Sequence, residues 1–211
     1  NPPLDYIREE LVTSLESHIG HKGNLLTEGP EHCRQVHLDS PILGDAELEA
    51  LHHIDTKGIQ STTIDTTFGT ETSLEAAVDR IRRDARQAVE AGYEILHLSD
   101  RATGPDRCPV PSLLVVGAVH HDLIRAGHRT HAALVLESGQ PCAVHHFCTL
   151  LGYGADAVHP YLAYATVRDW ASRSDAVPDP ATAVERYVSA LEQGLLKVMA
   201  KMGISTLESY K

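Results

Sequence analysis

Histidine is the residue type that first invites a chemical reading. The 211-residue chain holds 14 of them. Several are neighbours: His52 and His53, His120 and His121, His145 and His146, with His128 and His131 close behind the second pair. Converging imidazoles bind zinc and related ions, but such a site needs ligands aimed at one point, usually three or four, with oriented partners behind them. Adjacent residues on a helix diverge by about 100°, so each pair offers one ligand. Neither a His-x-Glu nor a His-Glu-x-x-His spacing occurs. Polar surface or core histidines are therefore the preferred reading, and no metal ligand is assigned. Cys33, Cys108, Cys142 and Cys148 contain no Cys-x-x-Cys pair, which excludes a zinc ribbon. Cys142 and Cys148 lack the further thiolates that a cluster would require.

Charged residues at a strand end form the second constellation. Ser99-Asp100-Arg101 closes an apolar run and is followed by Gly104-Pro105-Asp106-Arg107. In parallel α/β proteins the carboxyl ends of strands carry function. Asp100, Arg101, Asp106 and Arg107 are thus a candidate strand-end or interface site, able to hold a substrate carboxylate. The competing and favoured reading is a structured loop in which Asp100 and Arg107 satisfy backbone groups. Gly152-Tyr153-Gly154-Ala155-Asp156-Ala157 lies between a helix and a strand, the reverse of a phosphate loop, and reads as a helix stop. No Gly-x-Gly-x-x-Gly, Walker loop or nucleophile elbow is present. No catalytic and no cofactor-binding residue is assigned.

The elements that position these residues follow from apolar spacing. A first helix is expected over Leu4–Ile19, with Ile7, Leu11 and Leu15 on one face. Residues 20–60 read as irregular, apart from a short helix over Asp45–His53 capped by Asp45 with Leu48 and Leu51 inward. From residue 60 strands and helices alternate: a strand over Thr62–Phe68, a helix opened by Ser73 and stopped by Gly92, a strand over Glu94–Ser99, a Pro-rich loop over Gly104–Pro111, and a helix from Ser112 to Ala126 stopped by Gly127. A strand over His131–Leu136, a helix over Cys142–Leu151, a strand over Ala155–Val158, and helices over Tyr161–Trp170 and Ala181–Met202 complete the series. Gly203–Leu207 reads as the start of another strand. Such alternation gives a parallel sheet with right-handed crossovers. The strands are apolar on both faces, as helix-covered strands are. The fold class is α/β. It has too few units for a full eight-fold barrel, so it is an incomplete TIM-barrel-like or open sheet with an irregular N-terminal region. The expected division is a lead-in over 1–60, an α/β domain over 61–202 and a junction over 203–211.

Composition narrows the function classes. Hydrophobic residues make up 42%, too many for a disordered chain. Twenty-nine acidic residues against 18 basic ones leave a formal charge of −11, which argues against nucleic acid as the partner. No stretch reaches the roughly 20 apolar residues of a membrane span. No basic-then-apolar leader opens the chain, so a cytoplasmic location is expected. The first residue is Asn1 rather than Met, and the chain is expected to begin inside a longer product.

Longer stretches carry a more specific signal. Asn1–Leu15 (NPPLDYIREELVTSL), Leu98–Arg101 (LSDR), Gly104–Arg107 (GPDR), Pro109–Leu114 (PVPSLL), Gly117–His121 (GAVHH), Val144–Phe147 (VHHF), Leu151–Ala155 (LGYGA), Pro160–Ala163 (PYLA) and Gly194–Leu207 (GLLKVMAKMGISTL) resemble, in order, the central domain of glutamate synthases. Only residues 21–60 are poorly covered. The resemblance implies a domain of an oxidoreductase of glutamate biosynthesis and nitrogen assimilation that turns glutamine, 2-oxoglutarate and reductant into two glutamates. It implies partners in the same polypeptide: a glutaminase domain before this one, and a domain after it that binds FMN and carries an iron–sulfur cluster. The central domain resembles a degenerate barrel that joins the two active sites and helps wall an ammonia tunnel, with no cofactor of its own. Val12-Thr13-Ser14-Leu15 stands where the family usually reads Val-Met-Ser-Leu, near the 2-oxoglutarate site. Ser14 matches and Thr13 departs, and both are carried as substrate-proximal candidates. His159 stands where the family commonly has Asn. Two alternatives stay open: a stand-alone binding module, and a small enzyme using Asp100, Arg101 and the histidines.

Overall fold

The structure is a computed structural model, and it describes residues 1–5, 7–24, 26–56, 58–174, 177 and 179–210. In chain order its elements are α1 (Glu9–Val12), β1 (Ser17–Ile19), β2 (Val36–Leu38), α2 (Asp45–His52), β3 (Ser61–Asp65), β4 (Thr67–Gly69), α3 (Leu74–Glu90), β5 (Ile95–Ser99), β6 (Arg107–Pro109), α4 (Ser112–Arg125), β7 (Ala133–Glu137), α5 (Val144–Gly152), β8 (Ala157–His159), α6 (Tyr161–Ala171) and α7 (Pro180–Met202).

The helices start and stop where side chains satisfy backbone groups left open at helix ends. Ser73 Oγ accepts from Ala76 N at 3.2 Å and opens α3. Asp179 accepts from Thr182 N at 2.9 Å and opens α7, with Pro180 in the first turn. Gly203 ends α7 at φ +73°, a conformation costly for residues with a Cβ.

β3, β5, β7 and β8 form one parallel sheet in that order. Side chains alternate between its faces. On the outer face Ile64, Leu98, Leu136 and Val158 occupy one row, with Leu96 and Leu134 behind them. They share a core with Ala77, Ile81 and Ala85 of α3, Val115 and Val119 of α4, Phe147 and Leu151 of α5, and Leu191 and Leu195 of α7. The inner face carries Ile95, Ala133, Val135 and Ala157, which pack against Ile19 and Leu38 of the β1–β2 hairpin, Leu43, and Leu48 and Leu51 of α2. The N-terminal elements thus cover the face that a closed barrel would turn inward.

Several boundaries differ from the sequence expectation. The helix expected over Leu4–Ile19 is the short α1 followed by β1; Ile7 and Leu11 stay 76% and 77% exposed, and Tyr6 lies outside the described residues. Tertiary pairing wins there: Leu4 N donates to Ala200 O and Ser14 N to Ser205 O, each at 2.8 Å. The strand expected over Thr62–Phe68 breaks into β3 and β4, and the Pro-rich loop contributes β6, which pairs with β4. Gly44, not Asp45, caps α2; its N–H donates to Glu47 Oε2 at 2.7 Å. Residues 203–207 form a single parallel bridge, Ser14 to Thr206, rather than a strand. Lys211, the end of the expected junction, lies outside the described residues.

Candidate functional site

The parallel register places Asp65, Ser99, Glu137 and His159 side by side, one at the carboxyl end of each strand, on the inner face. Glu137 is the centre of this row and is 6% exposed. Ser99 Oγ donates to Glu137 Oε2 at 2.7 Å and Arg101 Nε donates to Oε1 at 2.6 Å. Burial pulls the Glu137 carboxyl toward its neutral form, but the hydrogen bonds from Ser99 and Arg101 outweigh it and hold the group below its usual pKa. The Arg101 guanidinium also lies over the Tyr161 ring, 4.3 Å from its centroid.

Asp100, 3% exposed, sits just beyond the same strand end. It accepts from Ser138 Oγ at 2.6 Å, Tyr161 OH at 2.7 Å and Gly139 N at 3.0 Å. Burial and this bond to Asp100 raise the Tyr161 phenol well above its normal pKa. Asp100 and Arg101 are therefore brought together, through Tyr161 on one side and Glu137 on the other. Arg107 sits at the edge of the row, apart from Asp100 and Glu137: its Nε donates to Thr67 Oγ1 at 2.8 Å and its guanidinium pairs with Asp65. Asp106 is exposed in the turn before β6.

Two buried histidines share the inner face, His159 in the row and His97 below it. His97, fully buried, stacks on His52 with ring centroids 3.9 Å apart. Burial, then the adjacent His52, lowers its pKa to about 4. His159 is also fully buried. Its Nδ1 lies 2.9 Å from Leu43 O, which assigns the proton to that nitrogen. Its pKa is lowered, chiefly by burial. This contact ties His159 to the segment leading into α2. His120 Nδ1 accepts from Arg129 Nε at 2.9 Å. Among the described residues no group of three or more His, Cys, Asp or Glu side chains is arranged to hold a metal ion.

Thr13 and Ser14 lie apart from the strand-end network. Thr13 follows α1, and its Oγ1 donates to Glu9 O at 2.5 Å. Ser14 Oγ accepts from Glu16 N at 3.1 Å. Both line a cleft of about 440 Å³ with Glu10, Glu16, Asp39 and Glu192.

Asp100 and Arg101, expected from the sequence, lie in the strand-end network; Glu137, Ser138 and Tyr161, which the sequence expectation does not include, hold it together. The missed signal was positional. The strand expected over His131–Leu136 stops one residue short of the carboxylate that the register sets beside Ser99. The Gly152–Gly154 turn does close α5; Gly154 has φ +116°, and a side chain there would strike the His120 ring.

A parallel β/α sheet with one face under helices, its polar row at the carboxyl strand ends and, among the described residues, neither edge joined to the other, defines an incomplete (β/α)-barrel domain. Among solved structures it is similar in fold to the flavin-binding domain of baker's yeast flavocytochrome b2. The identity is 16% and the TM-score 0.50, over 82% of this chain and 38% of that one. Residues 1–211 match the glutamate synthase central domain family, and the chain belongs to it. Over its full length it is 44% identical to the NADH glutamate synthase of Schizosaccharomyces pombe and 42% identical to ferredoxin-dependent glutamate synthase 2 of Synechocystis. It is 40% identical to the NADPH glutamate synthase large chain of Bacillus subtilis. It spans 10%, 14% and 14% of the lengths of these relatives.

Proposed function

We propose that this domain is the rigid connector of a glutamate synthase. It holds a glutaminase domain and an FMN domain at fixed separation and helps wall the path along which ammonia travels between them. The observation that supports this is the family match across the whole chain at 40–44% identity with relatives of which it covers a tenth to a seventh. The strand-end network fits the reading. The carboxylates of Asp100 and Glu137 are buried and engaged by Ser99, Arg101, Ser138, Gly139 and Tyr161, which is the chemistry of a strut. FMN and the iron–sulfur cluster are assigned to other domains of the same polypeptide, and the enzyme to the cytoplasm. Residues 1–60 are the lead-in, 61–202 the α/β body and 203–211 the junction to the FMN domain. Thr13 and Ser14 present their cleft to the reaction path near the 2-oxoglutarate site. Excluding water there keeps ammonia from protonation, and ammonium is no nucleophile.

The test has two arms. The isolated chain is incubated with FMN, glutamine, 2-oxoglutarate and reductant; neither bound flavin nor reductant oxidation is expected. In the full-length enzyme that carries this domain, Ser14→Phe is expected to raise the glutamine hydrolysed per 2-oxoglutarate consumed. Turnover by the isolated chain, or an unchanged ratio in the variant, overturns the proposal.

A further inference from the structure

The β1–β2 hairpin carries a feature that the connector role does not use. His18 and His37 are directly opposite each other in the antiparallel register. Both are exposed, while Ser17, Ile19 and Leu38 beside them are buried, so the two imidazoles stand together on the solvent side of the hairpin. Their ring centroids are 5.0 Å apart, with the planes tilted by 49°. His18 makes no hydrogen bond among the described residues. His37 Nδ1 lies 3.6 Å from Asp39 Oδ1.

From this juxtaposition we infer that His18 and His37 form a two-imidazole site for a borderline divalent transition-metal ion of the zinc, nickel or copper class. The spacing is the main argument. An ion holding two imidazole nitrogens at about 2.0–2.1 Å with a near-tetrahedral angle sets the two ring centroids about 5 Å apart, which is the separation already present. Opposed positions on paired strands fix the two Cβ atoms close together, so no backbone rearrangement is needed to bring the rings to one ion. Asp39 supplies the second argument: its carboxylate, 3.6 Å from His37 Nδ1 and beyond hydrogen-bond length, adds negative charge beside the pair that favours a cation. Imidazole donors select zinc, nickel and copper over magnesium and calcium. With two protein ligands the remaining positions belong to water, so the site is distinct from a closed structural centre, and it clamps the hairpin that covers the inner face of the sheet.

Calorimetric titration of the 211-residue chain with Zn²⁺, and with Mg²⁺ as control, tests the inference. One zinc ion per chain and no heat with magnesium are expected. His18→Ala and His37→Ala should each weaken zinc binding at least ~10-fold, and Asp39→Asn several-fold, as removal of ligands and of the groups behind them does. Affinity should fall as pH is lowered, because protons compete for the same nitrogens. Sub-stoichiometric Cu²⁺ should broaden the His18 and His37 ring resonances before those of the other histidines. If a histidine variant loses its fold in the absence of metal, His18→Gln and His37→Gln replace it. Unchanged affinity in both histidine variants, first broadening at other histidines, or no zinc uptake by the parent chain overturns the site.

Discussion

At the scale of single residues, the carboxylates that look most reactive in the sequence are the most fully occupied in the fold. Asp100 accepts from three donors within 3.0 Å while 3% exposed. Asp100→Asn keeps the volume but turns an amide N–H₂ toward those donors. It is expected to cost about 2–3 kcal/mol, since a buried donor left without an acceptor bears its full desolvation penalty. Ser138→Ala should cost about 1 kcal/mol. Urea titration of both variants checks this. His97 makes the complementary prediction. Its folded pKa is about 4 against 6.5 for a free imidazole, lowered by burial and by His52. The unfolded chain therefore binds more protons between these values. Stability contributed by neutral His97 is complete above pH 6.5 and is lost as pH falls through about 4, on the order of 3 kcal/mol in all. His97→Leu should flatten that acid limb, read as denaturation midpoints across the window. Both residues show what a sequence conceals. Asp100 was legible because it ends an apolar run beside Arg101. The burial of His97 was not, since a polar residue among Ile95, Leu96 and Leu98 gives no sign of which side is covered.

At the scale of elements, legibility followed the number of partners each segment has. α3 was readable from Ser73 to Gly92, because one stripe, Ala77, Ile81, Ala85 and Val89, faces one core. The N-terminal stretch was misread for the opposite reason. Ile7 and Leu11 have helical spacing, but the backbone of this segment is bound by Ala200 and Ser205 from the far end of the chain, and periodicity within 15 residues does not register a partner nearly 200 residues away. The α5–α7 contact yields a sharper test. A Cβ on Gly194 of α7 would press into both methyls of Val144 on α5, and valine is held at χ1 and cannot turn aside cheaply. Gly194→Ala gains up to about 1 kcal/mol of helix propensity but meets an overpacking cost of about 1–3 kcal/mol. The net expectation is a modest loss of thermal stability. Val144→Ala in the same chain should relieve the strain, so that the double variant loses less than the sum of the single changes.

At the scale of the whole molecule, the sheet poses a problem that the N-terminal sixty residues solve. Four parallel strands do not close on themselves, so the inner face bearing Ile95, Ala133, Val135 and Ala157 needs another cover. The hairpin residues Ile19 and Leu38, with Leu43, Leu48 and Leu51, provide it. A complete barrel keeps its carboxyl end open for substrate. Here α2 lays His52 on His97 in the middle of β5, and the segment before it is tied to His159, so the chain itself covers the inner face beneath the strand ends. The lead-in over 1–60 and the α/β body are therefore expected to fold together. A chain beginning at residue 56 exposes that inner face and is expected to be insoluble or to bind a hydrophobic dye strongly. Leu48→Ala, which leaves a cavity under an otherwise intact cover, should cost about 2–4 kcal/mol without loss of solubility. If the truncated chain instead remains monomeric and unfolds cooperatively, the hairpin and α2 are an accessory lobe, and the covered inner face loses its standing as part of the frame.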